Sequence, residues 1–391
     1  MEYKYRAELE WNNGSVITAV PSESIKSIII DRDYDGKNMP TLYVTVTMAK
    51  NLLDNIILNK ENSTFIFRLY KKALDEQQFE EEYINDEFVY FLSQDINYNK
   101  NTEFKDEEEK DKDDQYSQVT IGLMKLDLIN INKGYFMGAF RNISTTALIL
   151  HFTKSIEQMI LEKPDDFKYD HIIIPPIDSL SKCIAYINNM HTIYKTPYRF
   201  FMDLKIAYLL SSTGDGIPSK DDSNNTVSIE IKDPASYGGV NQGIDLDKEN
   251  KIYRLLVNAN DTKMYNDNIA DKSFNVLYGV SSTTTQELEL NVAKSKGSTP
   301  KKKILRIFNE NFELLDNHKE SIEMSGNTLT IAKANIDCSV ITPNKKYIVK
   351  NYIDYIDYDG IYILSRKKEI YIYENGEMKL QNILNFKTLK K

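Results

Sequence analysis

Catalysis and metal binding need nucleophiles, bases or ligands at workable spacings, and in this sequence such residues stand far apart. The four histidines, His151, His171, His191 and His318, are too widely separated to share a helix face as ligands, and neither Cys183 nor Cys338 has a histidine nearby. There is no H-x3-H or C-x-x-C spacing, no G-x-S-x-G elbow, no H-E-x-x-H and no phosphate-cradling Gly-rich loop. His191 reads as the edge of a helix's apolar stripe, and Cys183 as a small buried hydrophobe. The nearest approach to a metal motif is Asp31-Arg32-Asp33-Tyr34-Asp35-Gly36, which copies the first half of a calcium loop with carboxylates at positions 1, 3 and 5 before a turn glycine. Its twelfth position is Leu42 where a bidentate Glu is needed, and its flanks read as strands, so a turn between strands is expected. No spacing marks a paired carboxylate dyad. The tyrosines, alternating within strands, read as half-buried wall residues and not as a sugar platform. No catalytic, cofactor-binding or metal-ligating residue is assigned, and neither an enzyme activity nor a cofactor is expected.

The elements around these residues must then be read for a structural role. The chain has 391 residues, enough for two or three domains, and is 41% hydrophobic, enough for an ordinary core in each. Its 26 Tyr and 16 Phe beside a single Trp, Trp11, favour strands. The 49 basic and 58 acidic residues give a net charge of −9, which repels phosphates and anionic lipid. There is no apolar run of about 18 residues to cross a membrane, and the first residues lack the apolar core of a signal peptide. Two distant cysteines make no disulfide framework. A soluble, β-rich, multidomain protein of a reducing compartment is expected.

Ile25 to Asp31 and the alternating run Thr41 to Met48 predict two strands around the turn at Asp33 to Gly36. Leu52, Leu53, Ile56 and Ile57 predict a short helix, and Phe65, Phe67 and Leu69 a further strand, with another from Phe88. Glu103 to Asp114 (EFKDEEEKDKDD) reads as a solvated loop between strands, not as a chelator or nucleic-acid mimic. Gln118 to Ile131 reads as one long strand. After Asn142 the character changes. Ser144 or Thr145 caps a helix with Leu148, Phe152, Ile156 and Ile160 on one stripe, stopped at Lys163-Pro164. Ile172 to Ile174 leads into Pro175-Pro176, and Asp178 or Ser179 caps a helix carrying Leu180, Ile184, Ile187 and His191. Arg199 to Leu210 reads as a hairpin turning near Asp203. Ser211 to Asn225 is a linker, and beyond it strands return at Thr226 to Lys232, Tyr253 to Val257, Phe274 to Tyr278 and Leu288 to Val292. Lys301-Lys302-Lys303 reads as a solvated strand entry. The tail predicts strands at Lys346 to Tyr352, Ile361 to Leu364, Glu369 to Tyr373 and Gln381 to Phe386, with a hairpin at Asn375-Gly376.

The stretch Ile172 to Leu180 (IIIPPIDSL), the amphipathic helix through Tyr194, and Tyr198-Arg-Phe-Phe-Met-Asp203 with its apolar second strand resemble the middle of phage central baseplate hubs. Ile25 to Ile57, with its Ile-rich strand, acidic turn, Met39-Pro40, alternating strand and short helix, is similar to the first tube-like domain of that family. The resemblance implies a mainly β fold with a mixed α+β middle region. Two tail-tube-like β-barrel domains would flank a helix/hairpin domain, divided as 1–142 (with the acidic loop at 103–114), 143–212 and 213–391. It implies a homotrimer forming a pseudo-hexameric ring that joins the tail tube to a spike or tip protein beside other baseplate proteins. Double-stranded DNA would pass through the lumen without specific binding, and no membrane anchor is implied. The place implied is the virion tail baseplate or tail tip, assembled in the host cytoplasm. The same architecture serves injection machines that carry no genome. Two other readings stand beside it. One is a tail-associated cell-wall hydrolase, whose only refuge is a hidden carboxylate dyad. The other is a receptor- or carbohydrate-binding tail protein with an exposed aromatic cleft.

Overall fold

The computed structural model describes residues 3–36, 38–59, 63–73, 81–91, 116–164, 168–191, 193–194, 198–204, 206–211, 226–233, 244–247, 252–266, 274–281, 288–293, 302–308, 327–353 and 359–388. The acidic run at 103–114, the linker beyond Ser211, Lys301 and His318 lie outside the described residues.

Alternation of apolar and polar residues builds the first strands, β1 (Tyr3–Asn12), β2 (Ile17–Val20), β3 (Ile25–Asp33) and β4 (Thr41–Ala49). Helix α1 (Lys50–Leu58) follows, then β5 (Thr64–Ala73), β6 (Glu81–Phe91) and β7 (Tyr116–Lys125). The middle of the chain forms α2 (Leu126–Asn132), β8 (Lys133–Ser144), α3 (Thr145–Thr153), β9 (Met159–Leu161), β10 (Lys168–Ser179), α4 (Leu180–His191), β11 (Tyr198–Met202) and β12 (Ala207–Ser211). Beyond it come β13 (Thr226–Lys232), β14 (Ile244–Asp247), β15 (Ile252–Asn258), β16 (Thr262–Asn266), β17 (Phe274–Ser281), β18 (Leu288–Ala293) and β19 (Lys302–Phe308). The last four are β20 (Asn327–Ala334), β21 (Lys346–Asn351), β22 (Gly360–Glu374) and β23 (Glu377–Thr388).

Two sheets share one hairpin. Antiparallel pairing runs β22–β3–β4–β7–β6–β5–β1–β23, and β23 pairs back to β22, which closes an eight-stranded barrel. The second sheet leaves the same hairpin on both sides, through β21–β13–β15–β14 and through β20–β16. Its β13 pairs are parallel, and among the described residues β14 and β16 are not paired to each other. The hairpin is long enough to serve both. Tyr371, Met378 and Leu380 near its tip lie in the first core with Ile28, Val44 and Phe67, whereas Tyr362, Leu364, Leu384 and Phe386 lie in the second with Ile229, Val257 and Tyr347. Asn375 and Gly376, both at positive φ, make the tight turn that lets two such strands pair. A third core packs α3 and α4 under the β8–β10 ribbon and the β11–β12–β9 sheet. The fold is thus mainly β, with a mixed α+β middle region.

Several expectations need correction. The strand from Gln118 stops at Lys125, because Leu126 to Asn132 coil so that Leu128 and Ile131 reach the third core. The helix capped by Ser144, which accepts from the Ala147 amide at 3.2 Å, ends at Thr153 and not at Lys163. The Thr153 hydroxyl bonds back to the Ile149 carbonyl, and Met159–Leu161 pairs in parallel with β12 instead. The two expected strands at Ile361 and Glu369 are one, β22, bent by a bulge between Leu364 and Arg366. The boundary at 142 falls inside β8, and residues 1–142 do not close the first barrel alone, since β22 and β23 supply two of its staves.

Candidate functional site

Along β3 the inward positions are Ile28, Ile30 and then Arg32, so the alternation that builds the barrel wall aims a guanidinium inward at the barrel's end. On β22 the same parity turns Tyr371, Glu369 and Lys367 inward, and on β7 it turns Leu123 and Lys125 inward. These charges meet a loop from the middle of the chain. The turn between β11 and β12, closed by the Asp203 amide donating to the Ile206 carbonyl at 2.7 Å, enters this end of the barrel and puts Leu204 into the first core. Arg32 Nε donates to Asp203 Oδ1 at 2.9 Å, and Nη1 donates to Glu369 Oε2 at 2.6 Å. The Tyr34 hydroxyl donates to Asp203 Oδ2 at 3.2 Å, and the Tyr83 hydroxyl to Glu369 Oε1 at 3.0 Å. Lys367 Nζ lies 3.3 Å from Glu369 and donates to the Cys338 carbonyl at 2.7 Å. Lys125 Nζ donates to the Leu204 carbonyl at 2.7 Å and lies 2.7 Å from Asp86. A cavity of about 330 Å³ opens here between the first and second cores, lined among others by Arg32, Tyr34, Tyr83, Asp203, Tyr208 and Lys367.

Burial pushes the Glu369 carboxyl up, yet Arg32 and Lys367 with the hydrogen bonds from Arg32 and Tyr83 outweigh it and hold the group down at about 2. Burial, and then the neighbouring Glu369 and Asp203 charges, push the Tyr83 and Tyr34 phenols well up, so both stay protonated donors. An ionised Glu369 already held by three partners is placed for cohesion and not for proton transfer. The turn Asp33 to Gly36 packs on the same hairpin. Gly36 has φ +80, and a Cβ there would stand 2.3 Å from the Phe200 carbonyl oxygen. Arg199, fully buried on β11, donates to the Leu364 carbonyl at 3.1 Å and so ties the hairpin to the second core as well. The opposite end of the barrel is closed by α1, whose Leu53 and Ile56 are buried in the first core.

The bacteriophage PBS1 gene 109 protein family matches residues 13–391. The chain belongs to that family. No curated protein sequence matches this gene 109 family member. Among solved structures, the tail protein from Neisseria meningitidis MC58 aligns over 99% of this chain and 97% of its own, with a TM-score of 0.53 at 10% identity, a likeness of fold that spans both sheets and the middle region. The 43 kDa tail protein of Shewanella oneidensis prophage MuSo2 aligns over 97% and 96%, with a TM-score of 0.49 at 10% identity. The E. coli c3393 protein, a component of the type VI secretion system, aligns over 94% and 74%, with a TM-score of 0.41 at 8% identity.

The residues weighed from the sequence are dispersed in this gene 109 family member. His151 lies against Phe140 and Phe152, His171 is exposed on β10, and His191 packs half-buried against Tyr169 and Tyr186, where burial lowers its pKa. Cys183 is fully buried in the third core, with its thiol pushed up to about 12 by burial. Each carboxylate of the Asp31–Asp35 turn has a protein partner. Asp31 pairs with Arg366, Asp33 accepts from the Asp35 and Asn38 amides at 2.9 and 3.1 Å, and Asp35 pairs with Lys387. Among the described residues no group of three or more His, Cys, Asp or Glu is placed to share a metal ion. Sequence reasoning placed the Asp203 turn, but it missed Arg32, Lys125, Glu369 and Lys367 as partners. A charge at an inward position of an alternating strand was the signal available.

Proposed function

We propose that the chain is a structural component of a phage tail baseplate hub or tail tip. It forms a trimeric, pseudo-hexameric ring that joins the tail tube to the spike or tip protein and lines the DNA ejection channel. The observation that carries this reading is the shared β22–β23 hairpin, which makes two β units of one chain a single continuous wall. Three chains with two such units each offer six β units, as a threefold part needs when it meets a sixfold tube. The ion network supports the same role, since it locks the middle hairpin into the barrel end and leaves its main carboxylate engaged. A net charge of −9 suits a lumen through which DNA slides without being held. The reading assigns the subunit no catalysis, places it in the virion, and gives it tube, spike and other baseplate proteins as neighbours. Light scattering on the purified chain, followed by particle images, tests it. A mass near three times 45.3 kDa with ring-shaped particles is expected. A lasting single-copy mass together with a glycan-binding cleft would replace it with a receptor-binding role.

A further inference from the structure

The two sides of the closed barrel differ in charge. On the β1–β5–β6 side three consecutive outward cross-strand rows carry charge, Arg6–Tyr70–Glu82, Glu8–Arg68–Asn85 and Glu10–Ile66–Glu87. These charges are satisfied within the wall, with Arg68 2.9 Å from Glu10 and Arg6 2.9 Å from Glu8. Such a surface is already solvated and self-paired. On the β7–β4–β3–β22 side two consecutive four-strand rows carry none, namely Gly122–Tyr43–Ile29–Ile370 and Thr120–Thr45–Ser27–Ile372. The Thr45 and Thr120 hydroxyls bond to each other at 3.0 Å, which satisfies them within the wall, and Ile372 stands 37% exposed. The row next to them carries Lys368 and Asp31 beside Thr41, and Asp31 is paired further along the wall with Arg366.

We infer that the β7–β4–β3–β22 wall of the first barrel is the face against which a second copy of this chain packs. The inference rests on the ring reading above and names the surface that reading leaves open. The argument for a copy as occupant is electrostatic. A ring of identical acidic chains must bring like-charged molecules together, and it does so without desolvating charge only through a face that carries none. The other faces of the barrel are taken, since α1 and the Leu204 turn close its ends and the remaining wall is self-paired.

The test is the mass of the full chain by light scattering for the wild type, Thr45→Arg, Ile29→Arg and, on the charged wall, Lys72→Glu. Circular dichroism melting checks that each is folded. The expected result is an assembled wild type and Lys72→Glu, with both wall variants reduced to the mass of one copy. A wild type and wall variants that all assemble would overturn the wall assignment and leave the ring reading standing. A wild type that is single at every concentration would overturn both. A second readout does not depend on disrupting assembly. Cys183 and Cys338 are buried, so Thr45→Cys carries the one exposed thiol among the described residues. In the assembled protein it should label roughly tenfold or more slowly than Lys72→Cys, because packing hides it from reagent. Equal labelling rates would count against the proposal.

Discussion

Arg32, the last inward side chain of β3, holds Asp203 at 2.9 Å although 171 positions separate them. Through its other nitrogen it holds Glu369 on β22, so one guanidinium ties the first barrel, the middle hairpin and the C-terminal hairpin together. The bulk of its side chain is out of water, at 7% exposure, and Glu369 is at 4%. Removing one member of such a group leaves the others buried and charged.

Arg32→Met should therefore destabilise the chain by about 3–5 kcal/mol, because two carboxylates lose their counter-ion in a low-dielectric site. Equilibrium urea denaturation measures it. A loss within the range of an exposed salt bridge, about 0–1 kcal/mol, would show that water reaches the network and screens it.

Glu369 makes the same network sensitive to acid. Its folded-state pKa of about 2 lies below the ordinary 4.5, so its contribution is fully present above about 4.5 and is lost as pH falls toward 2. Stability should drop by about 3 kcal/mol across that window from this group. Denaturation curves for the wild type and Glu369→Gln at stepped pH check the sign. The variant should start lower at neutral pH and fall less steeply in acid.

Two glycines at positive φ should respond differently to alanine. At Gly376, φ +85 with nothing within 4 Å of an added Cβ, only backbone strain is added, about 1–2 kcal/mol. At Gly36 the Cβ would also meet the Phe200 carbonyl oxygen at 2.3 Å, and the loss should be larger, about 2–4 kcal/mol. Thermal melts of the two variants side by side give the order.

Leu204→Ala should empty a place in the first core filled from outside the barrel's own strands, at about 2–5 kcal/mol. Proteolysis of the native protein should then cut first near the β11–β12 turn, because the loop would no longer be anchored by its apolar tip. Protection equal to wild type at that turn would mean that Arg32 and Lys125 hold it alone.

Much of the fold was legible because periodicity acts locally. Strict alternation over Thr41 to Met48 reports a two-faced strand wherever it sits, and the Leu53 and Ile56 spacing reports α1. Ser144 declared the start of α3, but its end was misread, since Ile156 and Ile160 continue the apolar count while the chain already turns toward β9. Similarly, Gln118 to Ile131 stays apolar across the change from strand to helix at Lys125. Composition is continuous there, and only the choice of core distinguishes the two parts.

What the sequence determined by itself is many of the strands, the helix α1 and the starts of α3 and α4, the turns at Asp33–Gly36, Asp203 and Asn375–Gly376, and the absence of local catalytic motifs. These depend on backbone preferences and burial of side chains a few residues apart. The tertiary structure alone decided that one C-terminal hairpin closes the first barrel and founds the second sheet, and that Arg32, Asp203 and Glu369 meet. Pairing across hundreds of residues is chosen by the total surface buried and by the need to neutralise inward charges, and no stretch of chain carries that sum on its own.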